Sequence, residues 1–275
     1  MHDPSEIING QNIAAKCDYV FSQTVCTNGS PVPYIADHFP VIKDGELIFC
    51  KTDFIHLLHQ CVDKFVPFHV RFTIITHDSD YPLSDELINR FGDRPIYWWG
   101  VNCESQKGNP LPIGVANSYS RGNLQDFHET PSPSRLLYVN NRVHNYPVLR
   151  NHLYEYFSSK EWATVRVPYE HNDIDPRYKG ELLDHKFILC PRGNGVDTHR
   201  MWEALYSGVI PVVVRHKTHA GLEGNLPILF VNDYSEVNET MLNETYETFN
   251  QTVWNTDMLN VSWWIKKMRR CGYAY

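Results

Sequence analysis

One pattern constrains this chain more than any other: short apolar runs rich in Val, Ile, Phe and Tyr recur along it, separated by longer helical patterns. Successive βα units of a parallel sheet read this way, because strands covered on both faces need no polar alternation. Two series are present. The first runs from ELIFC (46–50) through the amphipathic TDFIHLLHQCVDKF to VRFTIIT (70–76), PIYWWG (95–100) and PIGVA (112–116). The second opens with RLLYVN (135–140), followed by a helix predicted from Pro147 through Leu149, Leu153, Tyr154 and Phe157. Proline suits that first helical position, where no backbone donor is needed. WATVRV (162–167), KFILC (186–190), VIPVVV (209–214) and PILFV (227–231) continue the strands, with helices around Gly180–His185 and Asp197–Ser207 and a polar helical stretch after Asp233. Between the series, Tyr119 to Ser134 carries RGN, PSPS and little apolar content, the mark of a boundary. The expected organisation is α/β, with residues 1–130 and 131–254 as two Rossmann-like halves. A last helix at about 255–275, ending in a basic turn suited to a helix C-terminus, is free to pack back on the first half.

Length and charge narrow the function classes. At 275 residues, 42% apolar and 21% charged, the chain can build two real cores and is no disordered polymer. A net charge of −7 argues against broad binding to nucleic acid or an anionic membrane, so any phosphate must be gripped locally. MHDPSEIING holds no apolar signal region, and no apolar run of roughly 18 residues occurs; the expectation is a soluble, cytoplasmic monomer. Seven cysteines, at 17, 26, 50, 61, 103, 190 and 271, include no C-x-x-C pair and read as reduced thiols rather than a disulfide framework. The Asn-x-Ser/Thr triplets at Asn28, Asn238, Asn243, Asn250 and Asn260 read as unmodified in that setting.

Residues 186–214, KFILCPRGNGVDTHRMWEALYSGVIPVVV, carry the most chemistry: buried strand, glycine-bracketed turn, helix, buried strand. A strand–turn–helix junction builds an anion site. Gly193 and Gly195 let the backbone approach a ligand, and a helix opening near Asp197 aims free N–H groups and its positive dipole end at the same point. Arg192 adds a planar fork for phosphate oxygens. Arg200 and Glu203 share a helix face, with Glu203 set for ribose hydroxyls, while Met201, Ala204 and Leu205 face the sheet. The bland alternative is an exposed Arg200–Glu203 pair beside a plain turn.

PRGNGVDTHRMWEAL followed by GVIPVVV resembles the donor-site signature of exostosin-like glycosyltransferases. IFCKTDF, TIITHDSDYPL, YWWGVN and PIGVAN resemble the N-terminal half of that family's short, membrane-less members, so the resemblance spans most of residues 46–231. The chain is most similar to the forms in large algal DNA viruses that decorate capsid glycans. The resemblance implies a GT-B fold with the nucleotide-sugar site in the cleft between the halves. It implies donor contacts from Arg192, Gly193, Asn194, Gly195, Asp197, Thr198, His199, Arg200 and Glu203, with Arg142 as a further diphosphate contact and the loop after WATVRV meeting the base. The implied partners are a UDP-sugar donor, UDP-xylose first with UDP-galactose, UDP-glucuronate and GDP-fucose behind, and an oligosaccharide or glycoprotein acceptor.

An inverting enzyme of that kind needs a general base on the acceptor half. His77-Asp78-Ser79-Asp80 follows the strand RFTIIT, and the carboxyl ends of strands open onto the crevice in such sheets. Asp78 is the first candidate, Asp80 nearly equal, and His77 either acts directly or orients a carboxylate; Asp53 and Asp37 stand in reserve. A turn or capping role is as natural for any one of them. Asp78-Ser79-Asp80 also matches the D-x-D pattern of metal-dependent glycosyltransferases, but the arginines and helix end already supply positive charge, so no metal and no cofactor is expected. His56/His59 and His216/His219 lack a third ligand, and Trp98 and Trp99 read as core before sugar platforms. Two rival functions remain: a non-catalytic glycan-binding protein, and an NADP-dependent oxidoreductase using Arg215, which is disfavoured because Thr198 stands where G-x-G-x-x-G needs its third glycine.

Overall fold

The computed structural model of the chain describes residues 2–21, 24–25, 31–32, 39–120, 124, 126–167 and 176–272. The first half begins with α1 (Gly10–Ala15) and β1 (Tyr19–Phe21), then a small antiparallel hairpin of β2 (Thr24–Val25) and β3 (Pro31–Val32). Its main strands are β4 (Leu47–Lys51), β5 (Phe72–His77), β6 (Ile96–Gly100) and β7 (Asn109–Pro110). They form an all-parallel sheet in the order β1-β4-β5-β6-β7. Every residue of β5 is buried, the apolar and threonine run Phe72–Thr76 as well as the closing His77. Crossing between β4 and β5, α2 (Ile55–Phe65) buries Ile55, Leu58, Cys61 and Val62, one stripe at helical spacing. The short α3 (Asp85–Asn89) is capped by Ser84, whose hydroxyl accepts from the Leu87 N–H at 3.2 Å.

Two details depart from the sequence reading. The edge strand β1 has only three residues, too few to show a period. PIGVA at 112–116 is not a strand: pairing ends at Asn109–Pro110, and the chain turns at Gly114 (φ 68°) beneath Ile8. A Cβ on Gly114 would lie 1.9 Å from the Ile8 carbonyl oxygen, which instead accepts from the Val115 N–H at 2.8 Å. This loop is pinned under the N-terminal segment rather than laid along the sheet.

The second half runs β8 (Arg135–Val139), α4 (Pro147–Ser158), β9 (Ala163–Val165), α5 (Tyr178–Leu183), β10 (His185–Leu189), α6 (His199–Tyr206), β11 (Ile210–Val214), β12 (Leu229–Val231) and α7 (Glu239–Asn250). Its sheet is again all parallel, in the order β12-β11-β10-β8-β9. The winding reverses between β8 and β10, and in open α/β sheets such a reversal leaves a crevice at the carboxyl ends of the strands. The last helix, α8 (Val261–Gly272), contacts α1, β5 and β6.

The expected pair of Rossmann-like halves is present, each built on a five-stranded parallel sheet. They share one core, in which Phe49, Ile75 and Trp99 of the first half pack with Tyr138, Ile188 and Trp202 of the second and with Trp264 and Met268 of α8. That shared core explains a further departure. The spacing predicts a two-sided α6, yet Met201 through Ser207 are all buried. The chain's two ends cover the face expected to be polar: the Tyr206 hydroxyl accepts from the Ile8 N–H at 2.8 Å and donates to the Leu259 carbonyl at 2.6 Å. Among the described residues, no helix is long and apolar enough to cross a membrane, and Cys17, Cys50, Cys61, Cys103 and Cys190 are free thiols.

Candidate active site

The carboxyl ends of the two sheets enclose a cavity of about 740 Å3 on the first half and one of about 270 Å3 on the second. Asp80, Ile113 and His199 line both, so the two form one cleft.

On the first wall, β5 delivers His77 and Asp78. His77 is buried, and both ring nitrogens are engaged: Nε2 lies 3.3 Å from the Pro112 carbonyl, and Nδ1 lies 2.8 Å from the Asp78 backbone nitrogen and 3.0 Å from Asp78 Oδ1. His77 is therefore placed to orient Asp78, and it is one of the residues lining the cavity. Asp78 itself takes the left-handed backbone conformation (φ 55°), uncommon for a non-glycine residue and concentrated at functional positions. Its carboxylate lies against Gly10, where a Cβ would come within 1.8 Å of Oδ1. Oδ1 also accepts from Asn117 Nδ2 at 3.0 Å, and the Asn117 amide is held in turn by the Gln11 N–H on its oxygen at 2.9 Å. Oδ2 has no hydrogen-bond partner among the described residues. Burial works to raise the Asp78 pKa, but His77, Asn117 and Lys51 outweigh it and hold the carboxyl below its ordinary value. The group stays ionised at the cavity wall, with one oxygen fixed and the other without a hydrogen-bond partner among the described residues.

The remaining acidic candidates differ from Asp78. Asp80 is exposed and accepts from Asn194 Nδ2 at 3.0 Å, a bond across the cleft. Asp53 lines the same cavity, 3.7 Å from the Lys51 ammonium. Asp37 lies outside the described residues, as does the loop at 168–175 expected to meet the base.

Arg150 builds the second wall. It lies on the buried face of α4 with Leu153 and Phe157 and donates from Nε to the Arg192 carbonyl (3.0 Å), from one terminal nitrogen to the Arg142 carbonyl (2.6 Å) and from the other to the Pro191 carbonyl (3.0 Å). Those bonds tie the loop after β8 to the glycine turn after β10, so the switch-point crevice takes its shape from one guanidinium. Burial and the nearby Arg200 push its pKa down to about 10. Arg200 stacks 4.7 Å from the Tyr178 ring and donates to Asn140 Oδ1 at 2.9 Å. Arg142 and Arg200 line the 270 Å3 cavity with Arg150, Gly193, Asn194 and Thr198. Among the described residues, neither Arg150 nor Arg200 has a carboxylate within ion-pair distance.

Four of the expected donor contacts have partners within the fold, and two of these, Gly195 and Asp197, still line the 270 Å3 cavity. Glu203 is 2% exposed, accepts from the Tyr178 hydroxyl (2.8 Å) and the Leu124 N–H (3.1 Å), and lines neither cavity of the cleft; it lies under the site because the whole of α6 is sandwiched. The Asp197 side chain is also buried, accepting from the Ile113 N–H at 2.8 Å and from Trp202 Nε1 at 2.9 Å, which docks one half on the other. Gly195 leaves room for Asn102, whose amide nitrogen a Cβ would approach to 2.3 Å, and the Asn102 oxygen accepts from the Asp197 N–H at 2.9 Å. Arg192 turns its side chain into a neighbouring cavity of about 300 Å3, its guanidinium 4.8 Å from the Tyr146 ring. The helix opens at His199 with Thr198 as its cap residue, and His199 Nδ1 bonds the Gly114 carbonyl at 2.8 Å.

Sequence reasoning missed Arg150 and Asn117. An arginine at helical spacing with Leu153 and Phe157 was a readable signal for the first, since a charge on an apolar stripe needs a reason. Asn117 closes the PIGVAN run, but nothing in that run pointed to a bond with Asp78. Trp98 (4% exposed) and Trp99 (2%) are core, His59 pairs with Asp63 at 3.0 Å, and no group of three metal-ligating side chains occurs among the described residues.

No family model matches the chain. Among solved structures TarM is similar, at a TM-score of 0.35 and 12% identity over 82% of this chain and 51% of TarM, so the chain spans about half of TarM's length.

Proposed function

We propose that the chain is an inverting glycosyltransferase of exostosin-like type that moves a sugar from a nucleotide-sugar donor to a glycan hydroxyl. One observation carries this reading. The cleft sets a convergence of arginines without ion-pair partners, Arg150 and Arg200, opposite an ionised Asp78 with one free oxygen. Uncompensated, partly buried guanidinium groups are costly and signal an anionic ligand, and a fixed carboxylate facing them suits a base. On this reading the donor's diphosphate lies in the 270 Å3 cavity among Arg142, Arg200 and the glycine turn, in the half spanning residues 131–254. The acceptor lies in the 740 Å3 cavity of residues 1–130.

Asp78 Oδ2 takes the proton of the acceptor hydroxyl as that oxygen attacks the donor's anomeric carbon. The bond from that carbon to the diphosphate breaks, and its electron pair leaves on the nucleoside diphosphate, whose charge the guanidinium groups receive. His77 and Asn117 hold Oδ1 and so aim Oδ2. No step calls for a metal ion, since the departing charge meets fixed cations; Asp78 and Asp80 bond to different partners, Asn117 and Asn194. UDP-xylose is the first donor to test, ahead of UDP-galactose, UDP-glucuronate and GDP-fucose, with a viral capsid N-glycan as one acceptor class. The test is transfer from this donor panel to a glycan mixture after exhaustive EDTA treatment. Product by mass spectrometry supports the reading; complete loss with full recovery on adding Mn²⁺ sinks its metal-free form.

A further inference from the structure

We infer that the first half binds its acceptor as an extended glycan of three or more rings, using a second groove beyond the Asp78 cavity with Tyr81 at the step between them. The inference rests on the reading of the cleft as a glycosyl-transfer site.

A separate depression of about 390 Å3 lies beside the Asp78 cavity, between the segment after β4 and the segment after β5. Thr52, His56, Pro82, Glu86 and Arg90 line it. It shares Asp53 and Tyr81 with the Asp78 cavity, so the two make a continuous trough across the carboxyl ends of those strands. Each part alone falls in the range that holds a small-molecule ligand, ~300–1,000 Å3. A single sugar at Asp78 would leave the second part empty.

The lining points to carbohydrate. Tyr81 is 64% exposed at the step, and Tyr119 is 69% exposed on the Asp78 cavity. Tyr119 is not a loose surface ring, because its hydroxyl accepts from Asn117 Nδ2 at 2.7 Å, the same amide that orients Asp78. Tyrosine pairs an apolar ring with a polar tip, and a sugar ring pairs an apolar face with a polar edge, so each can cover the other without stranding a hydroxyl. Around the second depression, Glu86 and Arg90 form a 2.8 Å pair one helical turn apart, and Asp53 lies at the junction. They offer acceptors and donors to equatorial hydroxyls on either side of Tyr81. The net effect is a polar trough with isolated aromatic steps.

The test uses the intact chain on an immobilised array of defined mono- to hexasaccharides of glucose, galactose, mannose, xylose and fucose, with UDP present. Wild type should bind glycans of three or more rings about tenfold more tightly than their own one- and two-ring truncations. Tyr81→Ala should erase that gain, and Tyr81→Phe should keep it, both with unchanged thermal melting. Equal binding at all lengths, no glycan binding, or a length gain that survives Tyr81→Ala overturns the inference. Calorimetry with UDP-xylose separates the two ideas: glycan binding without donor binding leaves the groove standing and removes the transferase reading, and donor binding without a length gain does the reverse.

Discussion

The two walls of the cleft are opposites in charge and in how they are built. The first wall presents Asp53, Asp78 and Asp80 from loops after strands, and its key carboxylate is tuned by neighbours drawn from four places: Gly10, Lys51, His77 and Asn117. The second wall presents arginines from two helices and one loop, and one of them, Arg150, spends its hydrogen bonds on three backbone carbonyls. A wall that must take up a proton needs one group with a free oxygen and a fixed direction. A wall that must hold a polyanion needs several donors on a rigid frame, and rigidity there comes from bonds to backbone.

The contrast breaks most sharply at Asp78. Replacing it with Asn keeps the shape and removes the base, so turnover should fall ~10²–10⁴-fold while donor affinity stays unchanged. Steady-state kinetics beside calorimetry checks this; near-normal kcat moves the base to Asp80 or Asp53. Glu203→Ala is next in size. It leaves the Tyr178 hydroxyl and the Leu124 N–H buried without their acceptor, at about 1–3 kcal/mol each, so the expected result is a loss of about 2–6 kcal/mol in unfolding free energy. Chemical denaturation measures it. An unchanged midpoint with weakened donor binding would restore Glu203 as a ligand contact and overturn its assignment to the frame.

Asn117→Ala should have the smallest effect. Removing a donor to a carboxylate raises its pKa, so Asp78 in this variant ionises at a higher pH than in the parent. The acid limb of kcat/KM against pH should move upward, with activity on the neutral plateau only modestly reduced. A limb that does not move means that Asp78 is not the titrating base.

Much of the frame was legible because it depends on local pattern. The buried strands 47–51, 72–77, 185–189 and 210–214 read as apolar runs, and the helix from Pro147 starts where a missing donor costs nothing. The site was legible as a place and less so as roles. Gly195 reads as a backbone approach to ligand, yet its open Cα accommodates Asn102 from the other half, a contact 93 residues away that spacing does not encode. Glu203 reads as solvent-facing because α6 has a polar position there; Tyr178 and Leu124, from elsewhere in the chain, close over it, as Ile8 and Leu259 close over Tyr206. The Asp197 carboxylate is turned to the Ile113 N–H and Trp202, although the residue still lines the 270 Å3 cavity. Sequence periodicity reports which face of an element meets its own sheet and is silent about what the far ends of the chain place on the other.

The central claim is that the arginine wall holds a nucleoside diphosphate. It is tested most directly by calorimetric titration of UDP-xylose and the other three donors into wild type and Arg200→Gln, without divalent metal and with the folded state of each verified. The account predicts saturable binding of at least one donor, competition by inorganic pyrophosphate, and an affinity loss of about tenfold or more in the variant, as removal of a charge-assisted bond implies. No binding of any donor, or equal affinity in the two proteins, would contradict it.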